Sequence, residues 1–242
     1  MTASRAALTR DDLRVKVVVQ RVRLHGTDYR VIRPAKPPKH GALYRARAAY
    51  DLLVDRPDGR RIGTLLLLAA RSPRSLIYLP LRATAPAPWF GEGDEKPLDL
   101  VLAHRAVQFR PSFWKQLRTR INAANAPREL RTARVPESDL PVDETDAPAA
   151  RSAPYAPLSE VRLRRHEYAH TLMLTGSSTA FREAAREIFA VAQEGPSVAA
   201  HYNFRDSGCN YHVCRGLYDL PEDPYAPYVE PIHVEFANIW AK

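Results

Sequence analysis

The sequence predicts an α+β protein built as two antiparallel-sheet halves, each carrying one main helix, and three observations lead there. Apolar segments with strand periodicity, bounded by Pro, Gly and Asp turns, fill the first hundred residues and return near the C-terminus. Ser178 to Glu194 has a helical period instead, with Phe181, Ala184, Ala185, Ile188, Val191 and Ala192 on one face and Arg182, Glu183, Arg186, Glu187 and Gln193 on the other. Residues 131–157 change character, with five prolines and, between Glu137 and Asp146, five acids. Such a segment is too polar and too interrupted to form a core, so it is expected as a linker between residues 1–130 and a smaller α+β half, 158–242.

Taken in order, Leu13 to Leu24 alternates β-branched and basic residues and reads as a strand with one cationic face. Residues 25–40 follow as a loop or extended arm, since Pro34, Pro37 and Pro38 exclude a helix. Ala42 to Leu81 reads as a three-stranded meander. Its middle strand is the apolar run IGTLLLLAA, and the preceding RPDGRR supplies a Pro-Asp-Gly turn. A Pro/Gly-rich excursion then carries Trp89 and Phe90 at its tip, a pair expected to tuck back under the sheet or, where exposed, to anchor a partner. Leu98 to Arg110 is the next strand. Pro111 opens a helix to about Ala124, with Phe113, Trp114, Leu117 and Ile121 toward the core. Ser177 or Ser178 caps the second helix and Gly195 is its expected stop. The C-terminal segments close a second sheet, with His201, His212 and His233 as ordinary strand histidines.

Composition narrows the class of protein. A chain of 242 residues that is 45% hydrophobic and 26% charged can bury one large or two small cores, which excludes wholesale disorder. No apolar run approaches the roughly 20 residues of a membrane span. The N-terminus has no apolar stretch followed by a small-residue cleavage site, so the expectation is an intracellular, cytoplasmic protein without a membrane role. Two cysteines, Cys209 and Cys214, are too few for a disulfide scaffold. The formal charge of +9 is localised. Residues 1–49 hold twelve basic residues against three Asp, while the other 24 basic and 24 acidic residues cancel. A second basic stretch, 105–134, has eight bases and one acid, and would extend the first if the fold joined them.

The motif with the most chemistry in it is His166-Glu167-Tyr168-Ala169-His170, spelling H-E-x-x-H. On a helix, two imidazoles one turn apart with a carboxylate beside them can hold zinc. HEYAH followed by REAAREIF resembles the gluzincin metallopeptidases over fewer than 30 residues. The resemblance implies His166 and His170 as zinc ligands, Glu167 as general base and Glu183 as third ligand. A second pattern competes with it. LVLAHRAVQFR (100–110) and LMLTGSSTAFR (172–182) match at four of eleven positions at an offset of 72, which suggests a degenerate βα repeat. Under that reading Tyr168 to Thr175 is a strand, and histidines at i and i+4 stand about 13 Å apart, too far to share one ion.

The strand reading is the one taken. The functional expectation is therefore a non-enzymatic binding or assembly protein that contacts nucleic acid or an acidic protein through Lys16, Arg21, Arg23, Arg30, Arg33, Lys36 and Lys39, without a cofactor. Two alternatives stand beside it. One is a zinc-dependent hydrolase at HEYAH; the other is an immunity- or scaffold-type subunit binding a protein through Trp89 and Phe90.

Overall fold

The computed structural model describes residues 8, 13–46, 49–87, 95–123, 127–139, 162–201, 214–217, 219–220, 232–237 and 240. Trp89, Phe90, Cys209, His212 and most of the expected linker lie outside them. The chain opens on a hairpin of β1 (Arg14–Leu24) and β2 (Thr27–Pro34), paired from Val17↔Pro34 to Leu24↔Thr27. Its turn residues His25 and Gly26 have φ of 49° and 81°, the mirror-image turn whose twist suits a hairpin. The expected arm is thus mainly a strand, because Tyr29, Val31 and Ile32 find cover on both faces. The remaining connector bears Lys36 and Lys39 and is pinned by Asp58, whose Oδ2 accepts from the Lys39 and His40 amides at 2.7 Å each.

The chain's longest apolar run forms a helix where a central strand was expected. After the hairpin of β3 (Gly41–Ala46) and β4 (Ala49–Val54), α1 spans Arg56–Arg71. Asp55 is its N-cap, accepting from the Asp58 amide at 2.8 Å, and Pro57 sits in its first turn, so the expected turn RPDGRR is the helix start. The run shows no 3.6-residue period because α1 is buried on nearly every side, and leucine is a good helix former.

The remaining elements complete two sheets that meet at β6. These are β5 (Ser75–Leu79), β6 (Lys96–His104), α2 (Trp114–Asn122), β7 (Glu129–Arg134), β8 (Leu163–Glu167), β9 (Thr171–Gly176), α3 (Ser178–His201), β10 (Cys214–Leu217), β11 (Asp219–Leu220) and β12 (Ile232–Phe236). Strands run in the order β10-β12-β4-β3-β6-β5-β2-β1-β7, with β9 also on β6, β8 on β9 and β11 on β8. Antiparallel pairs predominate among the described residues, and β2–β5, β6–β9, β4–β12 and β8–β11 are parallel. The architecture is α+β. Strands from before and after residues 131–157 pair directly with each other, so the sheets do not divide along the chain at the expected linker. Part of that linker, β7, is an edge strand against β1.

The two segments of the suspected repeat lie side by side. Leu100 pairs with Leu172, Val101 with Met173 and Leu102 with Leu174, so the parallel register is the offset of 72 itself. Leu100, Leu102, Leu172 and Leu174 enter the core under α1 and α3, whereas Val101 and Met173 face α2 on the opposite side. The two helices that follow therefore cover opposite faces. Ser177 caps α3 by accepting from the Ala180 amide at 3.1 Å, and α3 continues past Gly195 to His201, since a glycine permits a stop without enforcing one. No helix among the described residues is long and apolar enough to cross a membrane.

Candidate nucleic-acid interface

HEYAH is the end of a strand and a tight turn. His166 and Glu167 lie on β8, where His166 pairs with Met173, and Tyr168 to Thr171 close the β8–β9 hairpin. The Tyr168 amide donates to the Thr171 carbonyl at 2.9 Å and the reverse bond is 3.1 Å. Ala169 and His170 occupy the two central positions with φ of 51° and 57°. Two imidazoles one helical turn apart, the geometry that the zinc set His166, His170 and Glu183 requires, are absent because one histidine is on a strand and the other in a turn. Glu167 and Glu183 have other partners: Tyr50 donates to Glu167 at 2.9 Å with Arg45 at 3.4 Å, and Arg186 pairs with Glu183 at 3.1 Å. Burial, and after it the bond to Glu167, push the Tyr50 phenol up to about 12. The ligand-type side chains that do converge among the described residues are Asp51, His233 and Glu235.

The base of this hairpin is locked by a buried polar network that sequence reasoning missed. Asp99 accepts from Tyr78 Oη at 3.2 Å, from the Arg82 amide and Nε at 3.1 Å each, and from Arg118 at 3.4 Å. Arg118 also reaches the Ala169 carbonyl at 3.0 Å and Thr171 Oγ1 at 3.1 Å, and Trp114 Nε1 donates to the same hydroxyl at 2.8 Å. Arg118 thus holds α2 to the turn. Burial, then the Asp99 charge, raises the Tyr78 phenol, so it stays a donor at neutral pH.

The basic residues sort by sheet face, and the sorting follows from register. Along β1, Val15, Val17 and Val19 enter the core under α1, and Arg21 and Arg23 continue that face as exposed residues. Arg21 pairs with Arg30, Arg23 with Asp28, and Val17 and Val19 with Arg131 and Glu129, so this face mixes signs. Arg21 and Arg30 lower the pKa of Glu129, after the larger effect of its hydrogen bond from Arg131. Arg30 is half-buried and donates to Ser75 at 3.0 Å.

The other face differs. Gln20, Val22 and Leu24 lie beneath α2, Gln20 donating to the Ile121 carbonyl at 3.0 Å. Beyond that helix the same face carries Lys16 and Arg14, with Arg33 opposite Val18, and Thr132, Leu130 and Arg134 on β7 opposite Lys16, Val18 and Arg14. Arg128 joins them near Arg33. No acid from β1, β2 or β7 shares this stretch among the described residues. Leu130 is 67% exposed, and Val18 is half-buried. Burial, and next the Arg128 charge, lowers the Arg33 pKa, the signature of a cation held among like charges with too little water.

Of the seven expected contact residues, Lys16 and Arg33 lie on this face and Arg21, Arg23 and Arg30 on the opposite one, while exposed Lys36 and Lys39 belong to the connector. The single cationic face expected for β1 is divided because Lys16 and Arg21 are an odd number of residues apart, so strand alternation sends Arg14 and Lys16 to one face and Arg21 and Arg23 to the other. The second basic stretch does join the first, since β7 runs beside β1. No protein-family model matches this chain, nor does any curated protein or solved structure.

Proposed function

We propose that this is a nucleic-acid-binding protein that takes the phosphate backbone on the open sheet face beyond α2. Arg14, Lys16, Arg33, Arg128 and Arg134 supply the positive field, and Leu130 and Val18 give the bound strand an apolar floor. The observation that supports this reading is the concentration of Lys16, Arg33, Arg128 and Arg134, together with Arg14, on the part of one face beyond α2, where no acid of β1, β2 or β7 lies among the described residues. Residues two apart on a strand are about 6.6 Å apart and neighbouring strands about 4.8 Å, so the charges form a two-dimensional array that can track a flexible backbone. Such binding is dominated by counterion release and tolerates sequence, as expected of a surface without a base-reading element.

The experiment is fluorescence anisotropy of a labelled single-stranded oligonucleotide across a salt series. Binding should weaken steeply with salt, and Lys16→Glu with Arg134→Glu should cost at least about tenfold at low salt and flatten the salt slope by about 0.7 per lost phosphate contact. Arg21→Glu with Arg23→Glu, on the opposite face, should cost less than about threefold. Equal losses from both faces would refute the assignment, and salt-independent association would instead assign the face to a protein partner docked on Leu130.

A further inference from the structure

We propose a second site, for a divalent transition-metal ion, on the strands β4 and β12. These strands pair in parallel with His233 opposite Asp51, and Glu235 lies two residues beyond His233. Register partners and residues two apart share a face, so all three side chains rise from the same side of the sheet. One donor atom from each, a carboxylate oxygen of Asp51 and Glu235 and a ring nitrogen of His233, lies within 4.8 Å of the other two. Three atoms so disposed have a common point no farther than 4.8/√3, about 2.8 Å, from each. Metal–ligand bonds of about 2.0 to 2.2 Å therefore need only small side-chain rotations.

Two carboxylates and a neutral imidazole supply a charge of about −2, which balances one divalent ion. The imidazole favours Mn²⁺, Fe²⁺, Co²⁺ or Zn²⁺ over Mg²⁺ or Ca²⁺, whose preferred donors are oxygens only. The surroundings suit an ion as well. Tyr44 is the cross-strand partner of Asp51 and is buried with Ala42, Leu53, Ala87 and Ala237 in a small apolar cluster backed by Trp240. Low polarity beside the donors strengthens their pull on a cation. Three protein ligands leave coordination positions for water or a further ligand.

The site is independent of the proposed nucleic-acid face. Mn²⁺ is titrated into the ¹⁵N-labelled full chain after removal of adventitious metal, and paramagnetic broadening of the amide resonances is mapped. Broadening should begin at residues 51–53 and 232–236 and saturate near one equivalent. Calorimetry with Mn²⁺ and Zn²⁺ should show an at least tenfold loss of affinity in Asp51→Asn and in Glu235→Gln, with His166→Ala and His170→Ala binding as the wild type does. Absence of saturable binding, broadening centred on the β8–β9 hairpin, or unchanged affinity in folded Asp51→Asn would overturn the proposal. The broadening map uses the unsubstituted chain, so it decides the matter even if a variant fails to fold.

Discussion

Replacing His170 by glycine should stabilise this protein, and the sign of that change separates the hairpin from the helix that HEYAH would otherwise be. His170 is exposed and has φ of 57°; its one described main-chain role is a carbonyl that accepts from the Asp99 amide at 3.0 Å, which glycine preserves. An L residue in the left-handed region costs about 1 to 2 kcal/mol that glycine does not. Glycine gives back about 0.5 to 1 kcal/mol through its freer unfolded chain. The net gain is about 0.5 to 1 kcal/mol, a rise in Tm of about 1 to 4 °C at this chain length. On a helix the same substitution would cost about 1 kcal/mol, so the two geometries differ in sign. Ala169→Asn with His170→Gly installs the pair this turn prefers and should gain somewhat more. The assay is urea and thermal unfolding followed by circular dichroism. A loss of about 1 kcal/mol in His170→Gly would refute the turn and return H-E-x-x-H to a helix.

Gly63→Ala should destabilise, although alanine is the better helix former by about 1 kcal/mol. Its Cβ would stand 2.9 to 3.0 Å from three atoms of the buried Phe189 ring, and overpacking of that kind costs about 1 to 3 kcal/mol. Urea midpoints should fall in Gly63→Ala and recover in part with Phe189→Leu, whereas a stabilised Gly63→Ala would mean that α1 and α3 are not so closely packed. The raised Tyr50 pKa, about 12 against about 10 in an unfolded chain, gives a pH prediction with a definite sign. The folded state holds the phenolic proton more tightly, so this stabilisation is complete below pH 10 and is lost as pH rises from about 10 to 12. Over that interval the wild type should lose more stability than Tyr50→Phe, and parallel losses would contradict the raised pKa that burial, and after it the bond to Glu167, produces.

Much of the secondary structure was legible from local pattern. α3 announced itself by an apolar stripe and a serine cap, and β1 by alternation, because each buries one side over most of its length. The offset of 72 was legible too, and its cause is physical: neighbouring parallel strands buried on both faces meet the same demands at register-paired positions. α1 was not legible as a helix. An element covered on nearly all sides has no polar face to mark its period, so only Asp55 and Pro57 signalled its start, and the same residues also suit a turn. The β1–β2 turn was missed because His-Gly imitates Asn-Gly only once both residues are known to have positive φ.

The sequence by itself determined the α+β class, the localisation of the basic excess and which residues alternate along each strand. Only the tertiary structure decided which cations of different strands share a face, because that depends on the register of β1 against β2 and β7. It also decided that Glu167 meets Tyr50 and that Asp51 meets His233 across 182 residues of chain. Local periodicity tells a side chain which way it points relative to its neighbours. What stands opposite is set by strand pairing between distant segments, and no local pattern encodes it.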